Sequence, residues 1–225
     1  CDAWQHWNAW VPETYVVAVA SLRSEVRRLA SHPSVVVFFY SSDELPPANV
    51  EQLYLDVFSS EAWPNPTVAS ASYYVSNITG PTGVKMSGPY SWVPPIYWLQ
   101  DGGPNTEGSS TQYGGAWGFL TEGGPGEAPL SYQTWSETVT PQHVWQGNAG
   151  GGMQSETFDW HCGNPIGLFR NLRYFVPPLI ARFGDVVSAN GAKEMLYKSQ
   201  LQAMETMQAM FEGYTRNKFT ESFYE

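Results

Sequence analysis

The sequence predicts an α/β fold built on parallel strands, and three observations carry that prediction. Apolar, β-branched runs alternate along the chain with segments of helical periodicity. The first run, Val35-Val36-Val37-Phe38-Phe39-Tyr40, is continuously apolar, as expected of a parallel strand covered on both faces. Polar residues and long Gly/Pro-rich loops collect after the strands, where open α/β sheets and barrels place their sites.

Residues 13–31 read as a helix. Val16, Val17, Ala20, Val26 and Leu29 recur at roughly helical spacing, and Arg23, Arg27 and Arg28 lie toward the end, where cations suit the helix dipole. Pro33 stops it. After the strand at 35–40 come Ser41-Ser42-Asp43-Glu44, a Pro46-Pro47 break and a second helix over about 48–61. Further strands are predicted at 67–74, 95–99 and 117–120, with long loops over 76–94 and 101–116. The C-terminal third is helical. Its clearest element runs over about 192–217, with Met195, Leu196, Met204, Met207, Phe211 and Tyr214 on or near one stripe, read as core packing.

The 225 residues suffice to bury a core. The formal charge is −10 with only 11 Lys and Arg, which argues against a nucleic-acid partner because no broad basic face can form. Charged residues are 14% of the chain, against about 25% in ordinary globular proteins, and aromatics are 15% with 10 Trp. That composition argues against disorder. No apolar run approaches the ~20 residues of a membrane-spanning helix. The chain opens on Cys1 without an initiator Met, which fits either a processed start or a piece of a longer polypeptide. Cys1 and Cys162 allow one bridge or two thiols. Asn77-Ile78-Thr79 is an N-glycosylation sequon in a polar stretch flanked by Gly and Pro, and with the acidic composition it points to secretion.

Two carboxylates stand at strand ends in otherwise uncharged surroundings: Asp43 and Glu122. A pair of carboxylates from different strands is the minimum equipment for glycoside hydrolysis, one as a protonated acid and the other as an ionised nucleophile or base. Either alone could equally be a helix cap or a loop carboxylate. Tyr97, Trp98 and Trp117 favour the paired reading, because aromatic walls bury the C–H faces of sugars. Glu44 is the rival acid, set against by strand parity. Glu107 and Glu127 sit in Gly/Pro-rich loops and read as solvated. His6, His32, His143 and His161 lack metal-ligand spacing, so neither metal nor cofactor is expected. His32 belongs to the turn before the first strand, and His161 beside Cys162 reads as packing.

The motifs also carry a family resemblance. Leu22-Arg23 through His32-Pro33-Ser34-Val35 and on to Ser42-Asp43 resembles the acid/base segment of glycoside hydrolase family 2, where a His-Pro-Ser lead-in and an apolar strand end in Asn-Glu. Counting from Ser34 puts Asp43 in the Glu position and Ser42 in the Asn position. That departure is typical of the exo-β-D-glucosaminidase branch. Three later segments resemble the same branch: Gly83-Val84-Lys85-Met86-Ser87-Gly88-Pro89-Tyr90, Val93-Pro94-Pro95-Ile96-Tyr97-Trp98, and Gly114-Gly115-Ala116-Trp117-Gly118-Phe119-Leu120-Thr121-Glu122. The last puts Glu122 in the nucleophile position.

The resemblance covers most of residues 1–125 and continues more weakly beyond. It implies a partial (β/α)8 barrel, about strands four to seven with their helices, spanning residues 1–225 as one partial catalytic domain. Strands before Cys1 and after Glu225 would complete it, beside accessory β-sandwich domains and a further acidic residue that reads the 2-amino group. It implies a retaining enzyme that removes β-1,4-linked glucosamine from the non-reducing end of chitosan oligomers. Ser42, Tyr97, Trp98 and Trp117 would bind substrate. The alternatives are another family member of β-mannosidase or β-galactosidase type, which Ser42-Asp43 argues against, and a non-catalytic sugar-binding barrel fragment, which needs no acid pair. A Ser oxygen can accept from the 2-ammonium of glucosamine, whereas an Asn amide would present N–H donors to it.

Overall fold

The structure is a computed structural model that describes residues 10–85, 89–100, 114–121, 123, 128–140, 157, 160–161, 171–184 and 191–219. The chain divides into two compact units.

The first unit comprises residues 1–86, 118–122 and 223–225. It begins with helix α1, Pro12–Leu29, whose Pro at the first turn needs no N–H partner and whose Arg27 and Arg28 close the last turn. Ala18, Leu22, Val26 and Leu29 form its buried face. Two of the valines expected inside, Val16 and Val17, are instead exposed, because the buried stripe runs through Leu22. Strand β1, Phe38–Phe39, leads through helix α2, Ala48–Ser60, to strand β2, Thr67–Val68, which pairs with β1 in parallel. This is the strand–helix–strand unit that the alternating pattern predicts. The bonds Phe38 N to Pro66 O and Tyr40 N to Val68 O, both 3.0 Å, extend the ladder beyond the two-residue strands.

Burial on both faces holds from Phe38 to Tyr40 but not at Val36, which is exposed. Phe38 packs edge-on against Phe58 and Trp63, at 5.3 and 5.5 Å between ring centroids, while Phe39 meets Phe119 at 5.7 Å. The core gathers α1, α2 and β1 around Leu22, Val26, Phe38, Tyr40, Tyr54 and Val57.

The strand expected over 67–74 ends early, and residues 69–74 run as irregular chain. The long loop expected over 76–94 is partly regular: β3, Val75–Ser76, turns through Asn77-Ile78-Thr79 into β4, Gly80–Pro81, an antiparallel hairpin. Gly80 has φ +82°, the left-handed geometry that three-residue hairpin loops favour. Strand β5, Val84–Lys85, pairs in parallel with β6, Phe119–Leu120, the strand expected at 117–120.

The second unit comprises residues 87–117 and 123–222. The strand expected at 95–99 is helix α3, Pro95–Leu99: Pro94 and Pro95 supply an extended cap and a preset first turn, so the short apolar run coils rather than extends. Helix α4, Tyr132–Thr138, is capped by Ser131, whose hydroxyl accepts from Thr134 N. A 3-10 turn, Asn171–Arg173, precedes α5, Val176–Phe183, and the long helix α6 follows at Gly191–Arg216. Trp135, Leu172, Phe175, Leu179, Met195 and Leu196 make the core of this unit.

The apolar stripe expected on α6 is corrected. Met195 and Leu196 are buried, but Met204, Met207 and Phe211 are exposed. Beyond Leu196 the buried face runs through Ser199, Gln202, Thr206, Ala209 and Gly213. Several of its contacts are with backbone carbonyls. Gln202 donates to Phe175 O at 2.8 Å, Thr206 to Val93 O at 2.6 Å and Asn217 to Ala116 O at 2.7 Å. A Cβ on Gly213 would lie 2.7 Å from Trp98 O. A helix this close to loop carbonyls needs small and donor residues on that face.

Candidate active site

The segment carrying Asp43 grows directly out of β1. Tyr40, Ser41 and Ser42 are buried, Asp43 is half-buried and Glu44 is exposed. The Ser42 hydroxyl lies 3.5 Å from Asp43 Oδ1, at the outer limit of a hydrogen bond.

The irregular chain at 69–72 holds this segment. Ala71 N donates to Ser41 O at 2.9 Å, the last backbone rung between the two. Beyond it, hydroxyls take over. The Ser70 hydroxyl donates to Ser42 O at 2.6 Å while accepting from Ser72 N at 3.0 Å. The Ser72 hydroxyl donates to Asp43 O at 3.0 Å. From the other side, the Thr121 hydroxyl at the end of β6 donates to Ala71 O at 2.6 Å. Residues 70–72 are therefore tied both to the Asp43 backbone and to the residue that precedes Glu122. Glu122 itself, with Glu107, Glu127, His6, His143, Cys1 and Cys162, lies outside the described residues.

A second polar cluster sits beneath. Glu51, in the first turn of α2, is 2% exposed. Its carboxylate accepts from the hydroxyls of Tyr40 at 2.9 Å, Ser76 at 2.7 Å and Thr79 at 2.9 Å. Burial, reinforced by the Glu51 charge, raises the Tyr40 hydroxyl well above its ordinary value, so it stays a donor. The strand that presents Ser42 and Asp43 is thereby linked to the β3–β4 hairpin. Asn77 is exposed in the hairpin turn.

On β5, Lys85 is completely buried, and desolvation pushes its ammonium down to about 8. It stands in register with Leu120 of β6.

The aromatic candidates belong to the second unit. Tyr97 and Trp98 lie on α3, with rings edge-on at 4.9 Å. Trp98 is fully buried and packs against Tyr214 at 6.3 Å, while Tyr97 and Trp117 each keep 6% exposure. The Tyr214 hydroxyl donates to Trp117 O at 3.3 Å. His161, expected to pack, is exposed; its Nδ1 lies 2.7 Å from Thr157 O and its ring 5.1 Å from that of Trp135. His32 is exposed in the turn before β1. Among the described residues no cluster of His, Cys, Asp and Glu is placed to hold a metal. Ser70, Ser72, Thr121 and Glu51 were not singled out by sequence; the alternation Ala69-Ser70-Ala71-Ser72 after a strand is the only hint it offers.

No family model matches the chain. Curated relatives do. An exo-beta-D-glucosaminidase of Streptomyces avermitilis is 34% identical over 212 residues, covering 93% of this chain and 21% of the relative. The chain is similar to exo-beta-D-glucosaminidases. A second, from Amycolatopsis orientalis, is 32% identical over 232 residues, with 99% of this chain and 21% of the relative covered. The crystal structure of the Amycolatopsis orientalis exo-chitosanase CsxA superposes with a TM-score of 0.72 at 30% identity, covering 96% of this chain and 24% of that one. A complex of an aspartate variant of the same protein with PNP-beta-D-glucosamine gives 0.73 at 31% identity, covering 96% of this chain and 24% of that one. The chain thus spans roughly a fifth to a quarter of the length of these relatives. The resemblance drawn from the motifs is borne out in what the chain is similar to, and the mixed α/β character with parallel pairing is observed. Among the described residues the strands form three separate pairs and no closed barrel.

Proposed function

We propose that these residues belong to a retaining exo-β-D-glucosaminidase that releases glucosamine from the non-reducing end of chitosan oligomers. The observation that carries this reading is the similarity to exo-beta-D-glucosaminidases over nearly the whole chain, the Ser42-Asp43 and Thr121-Glu122 segments included. The joint anchoring of Asp43 and Thr121 on residues 70–72 supports it, since two carboxylates can act on one bond only if their backbones are held in register.

In this mechanism Glu122 attacks the anomeric carbon while Asp43 gives its proton to the leaving oxygen. A glycosyl-enzyme forms. Asp43 then takes a proton from water, which attacks the same carbon and frees Glu122. The product keeps the β configuration. Ser42 accepts from the substrate ammonium, and Tyr97 and Trp117 are carried over as substrate-binding positions; Trp98, fully buried, has no ring face to offer a sugar and is a packing residue. The fold we assign is part of a (β/α)8 barrel, about strands four to seven, completed by other parts of the polypeptide. Asn77, exposed in its turn, is proposed to carry a glycan on a secreted protein.

The test is a pair of amide variants in the full-length protein. Asp43→Asn is expected to lose about 10²–10⁴-fold on chitosan oligomers, the range of general acid catalysis, while still forming the glycosyl-enzyme from aryl glucosaminides with good leaving groups. Glu122→Gln is expected to lose turnover on both. Full activity of either variant on chitosan oligomers removes that residue from the mechanism.

A further inference from the structure

Three hydroxyls have no chemical part in the proposed reaction, yet they tie residues 70–72 to both sides of it: those of Ser70 and Ser72 donate to Ser42 O and Asp43 O, and that of Thr121 donates to Ala71 O. Ser70 is completely buried and Ser72 nearly so. In an ordinary parallel pair the chain at 70–72 would meet the chain at 41–43 through backbone N–H groups. Here Ala71 N donates to Ser41 O, the last backbone bond between these two stretches among the described residues. Ser72 N is occupied by the Ser70 hydroxyl, so the carbonyls of Ser42 and Asp43 take hydroxyl donors instead. Such bonds let two strand ends part while each remains fixed to the other. On the opposite side the Ala71 carbonyl takes the Thr121 hydroxyl. The far end of the Ser72 peptide is held as well: Thr82 donates its hydroxyl to Ser72 O at 2.7 Å.

We infer that Ser70, Ser72 and Thr121 are positioning residues, whose hydroxyls reference the acid/base segment at Asp43 and Thr121, the residue before the nucleophile, to one shared stretch of backbone. The inference rests on the reading of Asp43 as acid/base and Glu122 as nucleophile. Displacing a catalytic group by about 1 Å can cost 10²-fold in rate, so loss of one anchoring hydroxyl has a measurable signature. The two ends of the clamp give different signatures. Ser70→Ala and Ser72→Ala loosen the acid, which matters most when the leaving group needs a proton. Thr121→Val is nearly isosteric and loosens the nucleophile, which matters for every leaving group.

The experiment compares kcat and KM of the full-length variants on a chitosan oligomer and on an aryl glucosaminide with a good leaving group, under conditions where glycosylation limits the rate. Ser72→Ala is expected to lower kcat on the oligomer by roughly 10–100-fold with little change in KM, and to spare the aryl substrate. Thr121→Val is expected to lower kcat on both by similar factors, and Thr121→Ser to restore it. A structural role alone would lower both substrates alike for Ser72→Ala, and that result, or wild-type kcat on both, overturns the inference. If Ser72→Ala does not fold, Ser72→Thr against Ser72→Val reads the same hydroxyl, with activity on the oligomer expected only from the former. Asp43→Asn and Glu122→Gln are measured alongside. If those two keep full activity, the reading of the carboxylates fails and the clamp falls with it; if they fail as expected and Ser72→Ala and Thr121→Val do not, the clamp alone is wrong.

Discussion

Ser42 is the residue at which specificity for an amino sugar is decided in this account. An Asn there would present amide N–H groups to a substrate ammonium, while a hydroxyl oxygen accepts from it. Ser42→Asn is therefore expected to lower the ratio of kcat/KM for a β-glucosaminide over an uncharged β-glucoside by about 10–150-fold, the equivalent of the about 1.5–3 kcal/mol in a hydrogen bond to a charged group. An unchanged ratio would remove Ser42 from recognition. Lys85 offers a second residue-scale prediction. Its ammonium is disfavoured by burial, so the unfolded chain keeps the proton to higher pH than the folded one. Stability is then gained as pH rises from about 8 toward 10.5, by at most about 3 kcal/mol. Denaturation of wild type and Lys85→Met across that range should show the difference moving in favour of wild type as pH rises; a flat difference contradicts it. Ser42 and Asp43 are candidates visible in the sequence because they stand in a motif at fixed distance from His32-Pro33-Ser34. The anchoring hydroxyls of Ser70, Ser72 and Thr121 are not. A serine bonded to a remote carbonyl leaves no spacing in the sequence.

Elements were legible where periodicity was long and local chemistry agreed with it. Helices α1, α2 and α6 lie within a residue or two of their expected bounds, since apolar period, prolines and terminal charges all point the same way. Short apolar runs were harder. Residues 95–99 carry strand-like side chains, yet Pro94-Pro95 preset a helical turn. On α6 the heaviest apolar residues were expected inward. The face that packs is the one able to approach backbone, through Gln202, Thr206 and Gly213. A similar constraint acts where β5 meets β6. Gly118 has φ +59°, and a Cβ there would stand 2.6 Å from Gly83 O, a backbone atom in the register that sets Phe119. Gly118→Ala is expected to destabilise by at least about 1–2 kcal/mol from the left-handed backbone alone. A chemical-denaturation midpoint equal to wild type would show that the strand pair relaxes around the methyl.

At the scale of the whole molecule, the acidic and Trp-rich composition argues against disorder and a nucleic-acid partner but does not place the aromatics. Phe38, Trp63, Trp98 and Trp135 pack within the cores of their respective units. The parallel α/β class was legible because strands and helices alternate, and the parallel pairs β1–β2 and β5–β6 bear it out. The barrel itself stays a proposal: the strands described form three separate pairs, and the relatives are four to five times the length of this chain. The most direct test of the central claim is the anomeric configuration of the sugar first released from chitosan oligomers by the full-length protein, followed by proton NMR before mutarotation. The account predicts free β-glucosamine, released from the non-reducing end. Initial release of the α anomer, or no release of free glucosamine, would contradict it.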